Sequence, residues 1–255
     1  ATLGGTRNVY ALRVNHEAAS NDTTWTGGQI NIHSGGLITD NRDNARVNLD
    51  TTNVYFGDGA NAVEGIVYVD ENVTRMGGVV TAANLTLNGP GALQLTNNAN
   101  AITGKIQMNG GILYLDGNGT RGSADEIILH ADYFNNTNAG QVPSLRLRHN
   151  SATTTYTGLT VTVAENVPVA TIQGERYSGT GTTNAVQFQT LNVVGTSGPA
   201  GTLLNLFNSN SNVDVLGTTT LGGSSPFAIN VNGNTWRLVD TLTATAAISK
   251  WGDGV

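Results

Sequence analysis

Short runs that alternate apolar and polar residues recur from one end of this chain to the other. They include residues 9–14 (VYALRV), 28–33 (GQINIH), 45–50 (ARVNLD), 65–70 (GIVYVD), 83–88 (ANLTLN), 92–96 (ALQLT), 105–108 (KIQM) and 112–116 (ILYLD). The series resumes at 144–149 (SLRLRH), 158–164 (GLTVTVA), 186–194 (VQFQTLNVV), 202–207 (TLLNLF), 227–232 (FAINVN) and 235–240 (TWRLVD). A period of two over a few residues is the signature of a strand with one buried face. Leu85 and Leu87 form the inward set of one run, and Leu159, Val161 and Val163 that of another. Between the runs fall Gly57-Asp58-Gly59, Gly77-Gly78, Asn97-Asn98, Gly110-Gly111 and Gly222-Gly223. Gly and Asn supply the tight corners that such a spacing needs. The chain is therefore all-β.

One segment offers a helix. In residues 123–132 (SADEIILHAD), Ser123 and Glu126 have the spacing of a capping box. A strand over 126–130 fits the same residues equally. No βαβ alternation is present.

A monotonous pattern over 255 residues favours a solenoid over a sandwich. Residues 35–40, 77–88 and 110–119 share a loose template of Gly pair, strand, polar corner and strand. A unit that buries its apolar face on the next copy of itself builds a β-solenoid. The expected fold is a parallel β-helix across 1–255 as one domain, with a β-sandwich as the alternative. Stacked corners would bring Asn residues into register as amide ladders.

Composition narrows function by exclusion. Only 12% of residues are charged, against about 25% in an average domain. The net charge of −6 argues against nucleic acid, which needs clustered Lys and Arg. With no cysteine, disulfides, thiol nucleophiles and Cys-based zinc sites are excluded. No apolar run approaches the ~18 residues of a membrane helix. The chain starts without a basic-then-apolar leader and reads as a mature or excised segment.

Residues 89–119 (GPGALQLTNNANAITGKIQMNGGILYLDGNG) resemble an autotransporter-associated β-strand repeat. Gly89, Gly91, Leu93 and Leu95 match its first part. Thr103-Gly104 with Ile106 match the middle, and Gly110-Gly111, Leu113 and Leu115 the last. Ile102 stands where the repeat has an aromatic, and Ile112 where it has Thr. The resemblance implies a right-handed parallel β-helix at a bacterial cell surface or outside the cell, with no catalytic residues. A structural role and an extracellular location are the expectations that follow.

Reactive constellations are sparse. Residues 117–122 (GNGTRG) match the dinucleotide fingerprint literally, but the fingerprint works only inside a βαβ unit, so a solenoid corner is the better reading. No cofactor is expected. The one metal reading the sequence admits is calcium at Asp116-Gly117-Asn118-Gly119-Thr120, where Ile127 stands at the position that needs Glu. Asp125, Glu126 and Asp132 form the densest acidic group. His16, His33, His130 and His149 are scattered. Arg146, Arg148 and His149 are read as one outward face opposite Leu145 and Leu147. Seven tyrosines, at 10, 55, 68, 114, 133, 156 and 177, would mark a glycan groove if they aligned. The chain is not expected to be an enzyme.

A β-helix has two open edges. The apolar terminal segments place self-association at Val9, Tyr10, Leu12, Val14, Ala246, Ile248 and Trp251. The expected partners are copies of the chain, head to tail, with surface glycans as a further class. The function expected first is a structural subunit or segment of an extracellular bacterial fibre, sheath or adhesin. The alternative is a carbohydrate-binding or polysaccharide-cleaving β-helix.

Overall fold

A computed structural model describes residues 1–16, 22–41, 45–130, 142–150, 153–165, 167–177, 184–195, 202–209, 211–232 and 235–252. The chain divides into two compact units, Ala1–Ala124 and Asp125–Val255.

The first unit is a stack of three-stranded coils. The first coil is β1 (Thr6–Val9), β2 (Leu12–His16) and β3 (Thr23–Trp25). The second is β4 (Gln29–Ile32), β5 (Gly36–Asn41) and β6 (Val47–Leu49). The third is β7 (Asn53–Phe56), β8 (Gly65–Val69) and β9 (Val73–Met76). The fourth is β10 (Val80–Ala82), β11 (Leu85–Asn88) and β12 (Ala92–Leu95). The last is β13 (Ala101–Ile102), β14 (Ile106–Met108) and β15 (Ile112–Asp116). Each strand pairs in parallel with its counterpart one coil away, giving three sheets: β1-β4-β7-β10-β13, β2-β5-β8-β11-β14 and β3-β6-β9-β12-β15. Successive coils are thus ~4.8 Å apart.

Register turns the period-two pattern into a core. On the second sheet Leu37, Val67, Leu87 and Met108 are stacked partners, and all are fully buried. Each such side chain contributes about 1.5–3 kcal/mol relative to exposure. Aromatics are few, at 6% of residues, so these aliphatic files carry most of the core.

The second unit uses longer strands. Its first sheet contains β16 (Glu126–Leu129), β18 (Thr154–Val163), β20 (Ala185–Val193), β22 (Asn212–Val215) and β25 (Trp236–Leu238). Its second contains β17 (Ser144–His149), β19 (Val169–Arg176), β21 (Thr202–Ser209), β24 (Phe227–Asn232) and β27 (Ile248–Trp251). The far half of β20 pairs with β23 (Thr219–Leu221), and β23 with β26 (Leu242–Ala244). So β18 and β20 each run along two sides of a coil, and the two sides separate again below β20.

Among the described residues the strand-to-strand pairings within each unit are parallel, and the antiparallel contact Gly57–Ala62 is an isolated bridge between strands. A sandwich would be built from antiparallel sheets, so the fold is the parallel β-helix. Two local expectations change. Residues 9–14 are not one strand: Val9 ends β1 on the first sheet and Leu12 begins β2 on the second, with Tyr10 at the corner. The helix over 123–132 gives way to strand β16, where Ile127 and Leu129 are buried while Glu126 and Ile128 are half-buried. Alternation, not a 3.6-residue period, decides that segment.

Candidate functional site

Outward polar side chains stack as regularly as the inward apolar ones. In the second unit Thr155, Gln187, Asp214 and Arg237 are successive register partners. Thr155 Oγ1 donates to Gln187 Oε1 at 2.8 Å. Gln187 Nε2 donates to Asp214 Oδ2 at 3.0 Å. Arg237 closes the file with Nε to Oδ1 and Nη2 to Oδ2, each at 2.7 Å. The Asp214 side chain is 1% exposed and that of Arg237 57%. Asp214 raises the pKa of the guanidinium by hydrogen bonding and by its charge. The file ends at a shallow depression of about 560 Å³ lined by Gln187, Asp214, Leu216, Arg237, Leu238 and Val239. Sequence reading missed this site. Each residue follows strand alternation, but the partners are a whole coil apart, 23 residues for Asp214 and Arg237.

Asn side chains pair between coils, though two of the three pairs lie inside strands rather than at the corners where ladders were expected. Asn31 Nδ2 donates to Asn8 Oδ1 at 2.7 Å, Asn109 Nδ2 to Asn88 Oδ1 at 3.0 Å, and Asn230 Nδ2 to Asn205 Oδ1 at 3.2 Å. Asn100 is the inward corner case. Buried, it accepts from the Val80 amide at 2.8 Å and donates to the Thr120 carbonyl at 2.7 Å.

The residues named for self-association lie in the two terminal coils. Tyr10 is 80% exposed, Val9 and Leu12 are half-buried, and Val14 is buried. Residues 1–3 run beside 24–26, with Leu3 N donating to Thr26 O at 2.8 Å. In the last coil Ile248 is exposed and Ala246 half-buried. The side chain of Trp251 lies outside the described residues.

The basic face on β17 needs correction. His149 shares its side of the strand with Leu145 and Leu147, not with Arg146 and Arg148. The parity of the numbers already requires this, because alternate residues of a strand share a face. His149 Nε2 lies 2.9 Å from Ser211 Oγ. With the two residues 1% and 0% exposed, this serine–histidine contact is closed to any substrate in solution. Arg146 and Arg148 do face outward, but Glu175 lies 3.7 Å and 3.4 Å from them. Arg148 also covers the Tyr177 ring at 5.4 Å. One carboxylate shared by two guanidinium groups offsets the stripe in part.

The dinucleotide-like residues 117–122 form a single 3-10 turn, Asn118–Arg121. The next element is strand β16, so no helix N-terminus awaits a phosphate. Gly119 serves coil packing instead, since a Cβ there would lie 2.4 Å from the Asn98 carbonyl oxygen. Asp116 accepts from Gln94 Nε2 at 2.8 Å. Among the described residues no three His, Asp or Glu side chains converge as metal ligands. Glu126 accepts from Thr162 at 2.7 Å, Asp125 is exposed, and Asp132 lies outside the described residues. His33 is exposed, and burial lowers the pKa of His130. The side chain of His16 is not among those described.

The tyrosines do not align. Tyr55 is on the first sheet of the first unit, Tyr68 on the second and Tyr114 on the third. Tyr156 is fully buried, with its hydroxyl donating to the Arg148 carbonyl at 3.0 Å. Tyr133 lies outside the described residues. No helix among those residues is long and apolar enough to cross a membrane.

Compared with family models, with curated proteins and with solved structures, the chain matches none.

Proposed function

We propose that the chain is a structural segment of an extracellular bacterial surface fibre, sheath or adhesin that extends by stacking coil on coil, head to tail. The observation that carries this reading is the contrast between the last coil and the one above it. Leu238, Leu242 and Ile248 are 38%, 47% and 38% exposed. Their register partners Val215, Thr219 and Phe227 are buried. The three exposed residues stand at positions that are core one coil earlier, so a further coil stacked on them would bury them. Covering them with another coil removes apolar area from water and pairs the open strand edge. A contact of one end with the other is heterologous and propagates into a fibre. The resemblance of residues 89–119 to autotransporter-associated repeats supports the bacterial surface location.

Light scattering across a micromolar dilution series, with negative-stain electron microscopy, tests the reading. Concentration-dependent rods are expected, and Leu242→Asp should shorten them. A monodisperse monomer at every concentration would remove the proposal.

A further inference from the structure

The second sheet of the first unit carries an unusual outer face. Arg13, Ile38, Tyr68 and Asn88 are successive register partners on β2, β5, β8 and β11. Asn109 follows, joined to Asn88 through its amide. Beside this file runs a second one, Gly36, Ile66, Thr86 and Gln107. Ile38, Ile66 and Tyr68 are 44%, 45% and 40% exposed. Single exposed apolar residues are ordinary, but three side by side on adjacent strands mark a contact surface.

We propose that this face binds a linear, neutral glycan laid along the solenoid axis. Three features select that ligand. The first is repetition. Side chains recur every ~4.8 Å along the file, close to the length of one pyranose unit. A linear polymer of identical units laid along the file can meet one side chain per unit.

The second is polarity. The apolar patch is bracketed by a guanidinium at one end and two amides at the other. Amides both donate and accept, which suits sugar hydroxyls, while Tyr68 and the two isoleucines offer a flat apolar bed to the ring faces.

The third is charge. Arg13 is answered by Asp40 at 3.2 Å. Glu64 accepts from Thr86 at 2.5 Å next to Ile66, so a carboxylate borders the patch. With a net charge of −6 on the chain, a polyuronate would be repelled. The inference does not depend on end-to-end stacking, because the face lies on the side of the coils.

The test is calorimetric titration of the whole chain with soluble hexasaccharides of β-1,4-glucose, β-1,3-glucose, β-1,4-mannose and β-1,4-N-acetylglucosamine, with hexagalacturonate as the acidic arm. At least one neutral hexasaccharide should bind at millimolar concentration or below. Tyr68→Ala should weaken it by about tenfold or more, and Ile66→Ser should weaken it as well. Tyr114→Ala, on the third sheet, should leave it unchanged. Both weakening substitutions are at exposed positions, and circular dichroism should show the folded β spectrum for each. Three results would each overturn the proposal: no neutral hexasaccharide binds, Tyr68→Ala binds like the parent chain, or hexagalacturonate binds more tightly than the neutral sugars.

Discussion

The two units solve one problem in different ways. In the first, every coil turns through short strands, and side chains hold the corners. Thr52 Oγ1 donates to the Gly27 carbonyl, Asn53 accepts from the Val79 amide, Asn84 from the Lys105 amide and Asn100 from the Val80 amide. In the second, β18 and β20 are 10 and 9 residues long and pass through a corner without ending. The turn in β18 is made by a change of register against β20 between Tyr156 and Thr160, with Gly158 at φ +73°. Both routes keep the inward files intact. A coil therefore needs its corner fixed by some means. A side-chain hydrogen bond makes that corner sharp, and a bulge makes it open.

The contrast can be broken by substitution. The largest effect should come from Gly78→Ala in the first unit. A Cβ there would lie 2.1 Å from the Thr52 oxygen and 2.4 Å from the Thr52 carbonyl carbon. Backbone cannot step aside cheaply, so a loss on the order of 4 kcal/mol is expected, read by urea unfolding.

Next is Asn100→Ala, which strips the Val80 amide and the Thr120 carbonyl of their partner. Each buried group left unpaired costs about 1–3 kcal/mol, and hydrogen exchange should rise at Val80 first.

In the second unit Arg237→Ala leaves the buried Asp214 carboxylate without its bidentate partner. Because Arg237 is largely exposed, the loss should be only about 1–2 kcal/mol, seen as a lower melting temperature. Gly158→Ala should be smaller still. A Cβ there meets nothing within 4 Å, and only the left-handed backbone costs, about 1 kcal/mol. If Gly158→Ala proved as damaging as Gly78→Ala, the distinction between sharp and open corners would fail.

The smallest effect concerns pH. Asp58 accepts from the amides of Ala60 and Asn61 at 2.8 Å and 2.6 Å and from Asn61 Nδ2 at 3.0 Å. Chiefly the bonds from Asn61 lower its pKa from 3.8 to about 2. A depressed carboxylate stabilises the turn above its ordinary pKa and loses that contribution as pH falls from about 4 through 2. A carboxyl NMR titration should find the Asp58 midpoint near the lower value. A midpoint near 3.8 would show that the turn does not hold in solution.

Strand positions and facing were largely legible in the residues. Leu85, Leu87, Leu159, Val161 and Val163 were read as inward from alternation alone, and all five are buried. The face of His149 was legible too, since it has the parity of Leu145 and Leu147. Gly119 in the dinucleotide-like residues also answers to stacking, because its lack of a side chain lets the Asn98 carbonyl approach.

The polar files were not legible. Alternation is a local property, fixed by the two-residue repeat of an extended backbone, so any stretch of chain announces it. Partnership between Asp214 and Arg237, or between Ile38 and Tyr68, depends on the length of each intervening coil. That length varies with every corner. A change of a single residue in it would shift the register and exchange one neighbour for another. The sequence alone thus determined an all-β chain with defined inner and outer faces. Only the stacking of its coils decided which outer residues meet, because register is set by the length of each coil and not by local alternation.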